Sequence, residues 1–251
     1  MSIRFNVLVA MLLATSAGSA ASVTYTMSSG TKSASATFEL LQSGLLQVTL
    51  ANTSIYQAAS MDDVLTAVFF GTNPNRVLDP LSAGIVSAGS LVNCPGCNTT
   101  DVSAEWAYRA NTNFVTNLGP AHLISTDEFG TLAAAERFGT VNVGGHTNIG
   151  GVDFGILPGG GLLNASVLAG TPVVVGRTTF VLDPGQGFNV SSIYFAGFYY
   201  GNGSGYLGTQ PSDWYSPGNG GAGDVPEPGT FVLLGMGLTG LGLAHRRQKR
   251  T

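Results

Sequence analysis

The sequence predicts an all-β protein: one antiparallel β-sandwich or jelly-roll domain with an additional segment at each end. Short runs of alternating or continuous apolar residues are separated at short intervals by turns that contain Gly, Pro, Asn or Asp. Only residues 131–139 have the pattern of an α-helix, and this segment is too short to cross over a parallel sheet. These features favour antiparallel strands over an α/β fold.

The predicted strands begin with two segments, 33–41 and 45–54, in which apolar and polar residues alternate. We expect them to form a hairpin around Gly44. Residues 64–71 are almost continuously apolar, which predicts a central strand buried on both faces, although a short helix capped by Ser60 with Asp63 is an alternative. Further strands are predicted at 77–81, 84–92, 104–110, 121–125, 152–157, 173–182 and 191–200.

Residues 1–21 have the organisation of a secretory signal peptide. Arg4 is followed by an apolar stretch at 7–14 and then by small residues. This order predicts cleavage after Ala20 or Ala21. We therefore expect signal peptidase to process the chain and the β-domain at 22–201 to fold outside the cytoplasm.

The C-terminal residues combine a short apolar run with a basic cluster. Residues 231–244 carry no charge, and as a helix they would span roughly 21 Å, short of the ~30 Å hydrocarbon core. Once the domain is exported, the positive-inside rule keeps the basic cluster in the cytoplasm, so we expect the apolar run to arrest the chain in the membrane as a transmembrane helix. The Gly-rich residues 202–224 are predicted to be a flexible spacer. The basic cluster consists of Arg246, Arg247, Lys249 and Arg250.

The order of motifs in 225–251 resembles the PEP-CTERM sorting signal of bacterial surface proteins that are handled by an exosortase. Pro226, Glu227 and Pro228 come first, followed by the Gly-rich apolar run and the basic cluster. The resemblance implies processing at Pro-Glu-Pro, with the membrane segment removed or exchanged. It also implies a transient stay in the inner membrane before the protein reaches the cell surface or the extracellular matrix.

The domain itself is similar to a family of exosortase-dependent surface proteins. The matching elements are the segments "LQVTLANTS" and "DVLTAVFF", a strand that contains Trp106, and a late "FYYG". They extend over most of 34–201. This second resemblance implies no activity and adds only to the expected destination.

Charge and cysteine content limit the possible functions. Residues 22–224 contain five basic and thirteen acidic residues, a net charge of −8 compared with −4 for the whole chain, so we expect no nucleic-acid partner. Cys94 and Cys97 are predicted to form a local disulfide across a Pro-Gly turn in an oxidising compartment. A redox motif or half of a zinc site is the alternative, but the sequence lacks the βαβ context or the further ligands that these need.

Candidates for catalysis and metal binding are few. The domain contains His122 and His146 and no G-x-S-x-G motif, which favours structural roles for both histidines. Paired carboxylates at 62–63 or 127–128 are typical of turns as well as of hydrolases. We therefore expect no catalytic residue and no cofactor. Calcium is the more reasonable metal, because acidic, Asn-rich loops supply oxygen ligands, but no residues can be assigned to it.

Aromatic residues give the remaining functional prediction. Trp214 and Tyr215 lie in the spacer, where they are available to stack on sugar rings, whereas Trp106 is explained by core packing. The sequence as a whole predicts a non-enzymatic, exported surface or matrix protein that associates with exopolysaccharide. A carbohydrate-binding module and a secreted polysaccharide hydrolase are the alternatives.

Overall fold

The structure is a computed structural model, and its described residues form two β-sheets. They are 21–85, 90–94, 97, 100–112, 120–127, 136–139, 143, 151–159 and 171–201, together with the backbone of 205–207. Among these residues there are strands and short 3-10 turns but no α-helix, which confirms the predicted all-β class.

Thirteen strands are found within the described ranges. In chain order they are β1 (Ser22–Ser29), β2 (Lys32–Leu40), β3 (Leu46–Asn52), β4 (Leu65–Thr72), β5 (Asp79–Ile85), β6 (Leu91–Asn93), β7 (Ala107–Thr112), β8 (Ala121–Ser125), β9 (Ile156–Leu157), β10 (Val173–Val175), β11 (Arg177–Asp183), β12 (Ile193–Tyr200) and β13 (Gly205–Leu207). The first sheet has the order β1-β2-β3-β11-β5. The second has the order β13-β12-β4-β9-β10-β6, with β8 pairing with β4 and β7 pairing with β8.

The hairpin predicted at the start of the domain is confirmed as β2 and β3, which pair antiparallel from Ala34 opposite Asn52 to Leu40 opposite Leu46. Alternate residues of both strands are fully buried, as the period-two pattern requires. The preceding strand β1 was not predicted. Its apolar residues Val23 and Tyr25 alternate with Ser and Thr, and it pairs with β2 along its whole length.

The prediction of a central strand buried on both faces is confirmed by β4. All eight of its residues are buried, between β12 on one side and β8 and β9 on the other. The cap predicted at Ser60 and Asp63 is also present in the structure. These residues form a capping box, but it closes a single 3-10 turn at Met61–Asp63, after which the chain extends into the strand.

Gly176 divides the predicted strand 173–182 into two strands that belong to different sheets. Its φ of 97° lies in the left-handed region that glycine adopts without strain. Residues before it form β10 in the second sheet, and residues after it form β11 in the first. In addition, β10 pairs parallel with β9, so the expectation of a purely antiparallel fold is wrong at this pair.

Two further expectations need correction. The described end of the predicted helix 131–139, at 136–139, is not α-helical, because Arg137 forms an antiparallel bridge with Ala107. The predicted spacer 202–224 begins too early, since β13 lies within it and pairs with β12.

The main core lies between the facing sides of the two sheets. Phe38 on β2 and Phe70 on β4 have ring centroids 4.8 Å apart, and Trp106 lies edge-on to Phe180 of β11 at 4.9 Å. The hydroxyl of Tyr25 on β1 donates to the carbonyl of Ile193 in the other sheet at 2.6 Å. A second apolar cluster occupies the opposite face of the second sheet and comprises Ala67, Phe69, Ala107, Ala121, Leu123, Phe195 and Tyr199.

Candidate functional site

A buried chain of hydrogen bonds surrounds His122, the one histidine among the described residues. His122 is fully buried on β8, next to the central strand β4. Its Nε2 lies 3.0 Å from the hydroxyl of Thr72, and its Nδ1 lies 2.8 Å from the hydroxyl of Tyr108. Its ring stacks on Tyr108 and lies 4.9 Å from the ring of Phe70. The imidazole therefore has a partner on each nitrogen and apolar rings around it.

A backbone amide also bonds to this chain. The N–H of Leu78 donates to the Tyr108 hydroxyl at 3.0 Å, which leaves the hydroxyl's own proton available for Nδ1 of His122. In that arrangement Nδ1 is the acceptor and the ring proton on Nε2 faces Thr72; which ring nitrogen donates depends on the tautomer. Burial lowers the pKa of His122 to about 4 and raises that of the Tyr108 phenol, so both groups are neutral near pH 7. Such a histidine fixes the packing of β8 and is not exposed to a substrate.

Asn52 at the end of β3 connects the two sheets. Its side-chain amide donates to the carbonyls of Asp63 at 3.1 Å and Ile156 at 2.9 Å, which lie before β4 and in β9. Its Oδ1 accepts from the backbone N–H of Ser54 at 3.2 Å. The Tyr200 hydroxyl lies 3.4 Å from the same oxygen and donates to the carbonyl of Ser33 at 2.7 Å. Asn52 is buried, and both of its amide protons and its oxygen have partners. The sequence signals this role only weakly, through an Asn at the end of a strand.

Of the acidic residues considered for catalysis, Asp63 has structural partners for its carboxylate. The Asp63 carboxylate accepts from the backbone N–H groups of Ala59 and Ser60, at 2.7 and 3.1 Å, and thereby completes the capping box. Asp127 is buried after β8, while residue 128 lies outside the described residues. No group of three His, Cys, Asp or Glu side chains suited to a metal ion occurs in the part of the chain that the structure describes. Asp63 thus stabilises the turn that leads into β4.

A shallow depression lies beside this turn. Its rim carries Tyr56, of which 55% is exposed, and the neighbouring Ile55 is 77% exposed. Polar groups of Thr31, Ser54 and Gln57 line it. An exposed aromatic ring next to hydroxyl and amide groups is the combination that stacks on a sugar ring and hydrogen-bonds to its hydroxyls. Tyr56 was not predicted as a site residue; its signal in the sequence is an aromatic residue two positions after the predicted strand 45–54.

Cys94 and Cys97 follow β6 and are joined in the structure by a disulfide, with Cα atoms 5.2 Å apart. The backbone N–H of Cys97 also donates to the carbonyl of Cys94 at 3.0 Å. Both side chains pack against the main core. The bridge therefore closes a local turn at the edge of the second sheet.

Most residues of the predicted terminal sites lie outside the described residues. Ala21 is described, and its carbonyl accepts from the N–H of Leu40 at 2.9 Å. No helix among the described residues is long and apolar enough to cross a membrane, and the apolar run 231–244 is not among them. The predicted terminal site residues that lie outside the described residues are Ala20, Trp214, Tyr215, Pro226, Glu227, Pro228, Arg246, Arg247, Lys249 and Arg250.

Comparison with protein families decides what the C-terminal segment is. Residues 224–247 match the family model of the PEP-CTERM protein-sorting motif. The chain carries a PEP-CTERM sorting signal. No curated protein and no solved structure matches the chain.

The PEP-CTERM signal defines the destination of the protein. A chain with this signal is an exosortase substrate that is exported, transiently anchored in the membrane and targeted to the surface. The match includes the Pro-Glu-Pro, the apolar run and the first two basic residues, Arg246 and Arg247. It leaves the β-domain unassigned, because the matched residues all lie beyond β13.

Proposed function

We propose that the chain is a surface or extracellular-matrix protein with no catalytic role, delivered by its PEP-CTERM signal and associated with exopolysaccharide. The match at 224–247 is the observation that carries this proposal, because it assigns the chain to the export route. Signal peptidase removes residues 1–20 or 1–21, and exosortase acts at Pro226–Pro228. The two sheets form a single β-sandwich, supported by the core that they share.

The surface chemistry of the domain supports a matrix role. On the outer face of the first sheet, Thr24, Thr37, Thr49 and Thr179 are aligned in one row across β1, β2, β3 and β11. Hydroxyl groups on this face contact one another, as in the 2.9 Å pair of Thr24 and Thr37. A row of hydroxyl groups on a domain of net negative charge suits a hydrated polysaccharide environment better than a nucleic acid.

Two of the described residues that acid–base catalysis could use, His122 and Asp63, are engaged by the fold. His122 is enclosed in the core with both ring nitrogens engaged, and the Asp63 carboxylate is held by two backbone N–H groups. A general base must reach the proton that it abstracts from a substrate. These contacts favour a binding or structural role over a hydrolase.

Intact-mass spectrometry of the protein from producing cells tests the delivery. We expect a chain that lacks the N-terminal 20 or 21 residues and ends at the Pro226–Pro228 segment, recovered from the surface or the matrix. In cells without exosortase, the C-terminal segment should remain and the protein should stay in the membrane fraction. Recovery of the uncut 251-residue chain from the cytosol would contradict the proposal.

The depression beside Tyr56 favours a second candidate function, a carbohydrate-binding module. Retention of the protein on purified exopolysaccharide tests it. Tyr56→Ala should weaken retention if this depression binds the glycan, and Trp214→Ala should do so if the spacer binds it. Tyr194→Ala is a matched control, because Tyr194 is a partly exposed tyrosine on β12. Equal retention of all these variants would argue against glycan binding at either place and favour a structural role.

A further inference from the structure

The two edges of the first sheet differ in how they are protected against pairing with another strand. At the β5 edge, the Ser103 hydroxyl accepts from the N–H of Ala83 at 2.9 Å and lies 2.7 Å from the Ala83 carbonyl, and the Asp101 carboxylate is a further acceptor for its proton. The Ile85 N–H donates to the carbonyl of Thr100, and Pro80 removes one donor. The pairing of β5 with β11 also contains a bulge. Covering groups, proline and bulges all discourage edge-to-edge association.

In the part of the chain that the structure describes, the β1 edge has none of these features. Within the described ranges, β1 pairs with β2 alone, and their register runs from Ser22 to Ser29 without a bulge. The strand contains no proline and no charged residue. Ser22, Thr24, Thr26 and Ser28 are exposed. An eight-residue edge without protection is long compared with the short or charged edges that prevent association.

The backbone groups that face away from β2 are identified by one hydrogen bond. The N–H of Leu40 donates to the carbonyl of Ala21, so these two residues form a hydrogen-bonded pair. In an antiparallel ladder such pairs alternate with pairs that are not hydrogen-bonded. The residues whose N–H and C=O groups point to the free edge are therefore Ser22, Thr24, Thr26 and Ser28.

Side-chain contacts agree with this assignment. Facing side chains lie closer in pairs without backbone hydrogen bonds. The hydroxyls of Thr24 and Thr37 are 2.9 Å apart, and so are those of Ser28 and Ser33, both in pairs of this kind. Between these outward positions, the Tyr25 hydroxyl is bonded to the carbonyl of Ile193 in the other sheet. This bond holds the strand in place, so its free edge is already ordered for pairing.

We propose that β1 pairs antiparallel with β1 of a second copy of this chain, so that two five-stranded sheets become one continuous sheet. A strand that pairs with itself about a two-fold axis presents the same groups on both sides. With the axis at Tyr25, Ser22 lies opposite Ser28 of the second copy and Thr24 lies opposite Thr26. All outward N–H and C=O groups of both strands are then used. The side chains of β1 carry no charge, and the α-amino group of the mature chain, on residue 21 or 22, lies away from Tyr25, so no like charges meet at the axis.

The first experiment measures the oligomeric state of the mature protein isolated from producing cells, by sedimentation velocity over a range of concentrations. We expect a dimer. Thr26→Pro removes an outward N–H that the β1–β2 ladder does not use, so it should weaken the dimer at least about tenfold while the circular dichroism of the fold is retained. Thr26→Val, which keeps the N–H and the branched shape, is the matched control and should remain dimeric. A monomeric wild-type protein at all concentrations would overturn the proposal.

A second experiment tests the register and does not depend on how the proline variant folds. Thr24→Cys and Thr26→Cys are prepared separately, mixed and oxidised. In the proposed register residue 24 of one copy faces residue 26 of the other at a Cα distance of about 5.5 Å, which a disulfide can bridge. Cross-linked dimer should form in the mixture and not in either variant alone, where the cysteines are more than about 7 Å apart. Equal cross-linking in the single variants, or none in the mixture, would refute the register and the pairing.

Discussion

Acidification is expected to destabilise the native domain through His122. The imidazole is fully buried, with Nδ1 at 2.8 Å from the Tyr108 hydroxyl and Nε2 at 3.0 Å from that of Thr72, and burial lowers its pKa from 6.5 to about 4. Protonation would place a charge between the buried rings of Phe70 and Tyr108, and desolvation penalises that charge. The native state therefore favours neutral His122 down to a much lower pH than the unfolded chain does.

The sign and size of the effect follow from this pKa difference. Between pH 6.5 and about 4 the unfolded chain holds the proton and the native state does not, so stability is lost as the pH falls. At about 1.36 kcal/mol per pKa unit, the free energy of unfolding should fall by roughly 2 kcal/mol from pH 7 to pH 5, and by roughly 3 kcal/mol near pH 4. That is a large part of a typical domain stability of about 5–15 kcal/mol.

Urea denaturation at pH 7, 6 and 5 measures this loss, with the fluorescence of buried Trp106 as the probe. His122→Gln is the matched variant, because its amide does not titrate and all carboxylates and the other histidines remain. The loss on acidification should be about 2 kcal/mol larger for the wild type than for His122→Gln, whatever the variant's own stability at pH 7.

Two results would refute this reasoning. The pH dependence of the unfolding free energy could be the same in both proteins, which would mean that His122 has the same proton affinity in the native and unfolded states. Alternatively, an NMR titration could show the His122 ring gaining its proton near pH 6.5. Either result would mean that the buried site does not favour the neutral imidazole.

Three further predictions concern the connection between the sheets, the packing of β12 and the tail. Asn52→Ala should cost about 2–4 kcal/mol in urea denaturation, because it leaves buried carbonyls unpaired, whereas the exposed cap variant Asn189→Ala should cost about 1 kcal/mol. Gly197→Ala places a Cβ 2.4 Å from the Phe69 ring and should lower the free energy of unfolding by about 1–3 kcal/mol. Gly84→Ala, whose Cβ would lie 3.7 Å from the carbonyl oxygen of Thr100, should lower it much less. Glu in place of all four basic tail residues should reduce membrane retention in cell fractionation, and unchanged retention would exclude a role for their charge. These residues are Arg246, Arg247, Lys249 and Arg250.

Local patterns were sufficient for the strands whose apolar residues repeat clearly. The hairpin β2–β3 and the fully buried β4 were predicted because alternating and continuous apolar patterns can both be recognised from neighbouring residues. In contrast, β1 escaped prediction, since its Ser and Thr residues mask the alternation of Val23, Tyr25 and Met27. The division at Gly176 was missed because one continuous apolar pattern serves two strands in different sheets.

The partners of polar side chains were less accessible to sequence reasoning. A structural role for His122 was favoured because the domain has few other catalytic groups, but nothing near it in the chain indicates Thr72 or Tyr108, which are 50 and 14 residues away. Likewise, Asn52 bonds to the carbonyl of Ile156 across 104 residues. These contacts depend on how strands from distant parts of the chain are placed side by side.

The sequence by itself determined the all-β class and the PEP-CTERM signal, because alternation and the order of a sorting motif are properties of adjacent residues. Tertiary structure alone decided which strands are neighbours, which polar groups are buried together and which edge is left unpaired. The free edge of β1 illustrates the reason: its composition is ordinary, and it becomes a candidate interface because no described strand pairs with its outer side, whereas Ser103 and Thr100 cover the opposite edge of the same sheet.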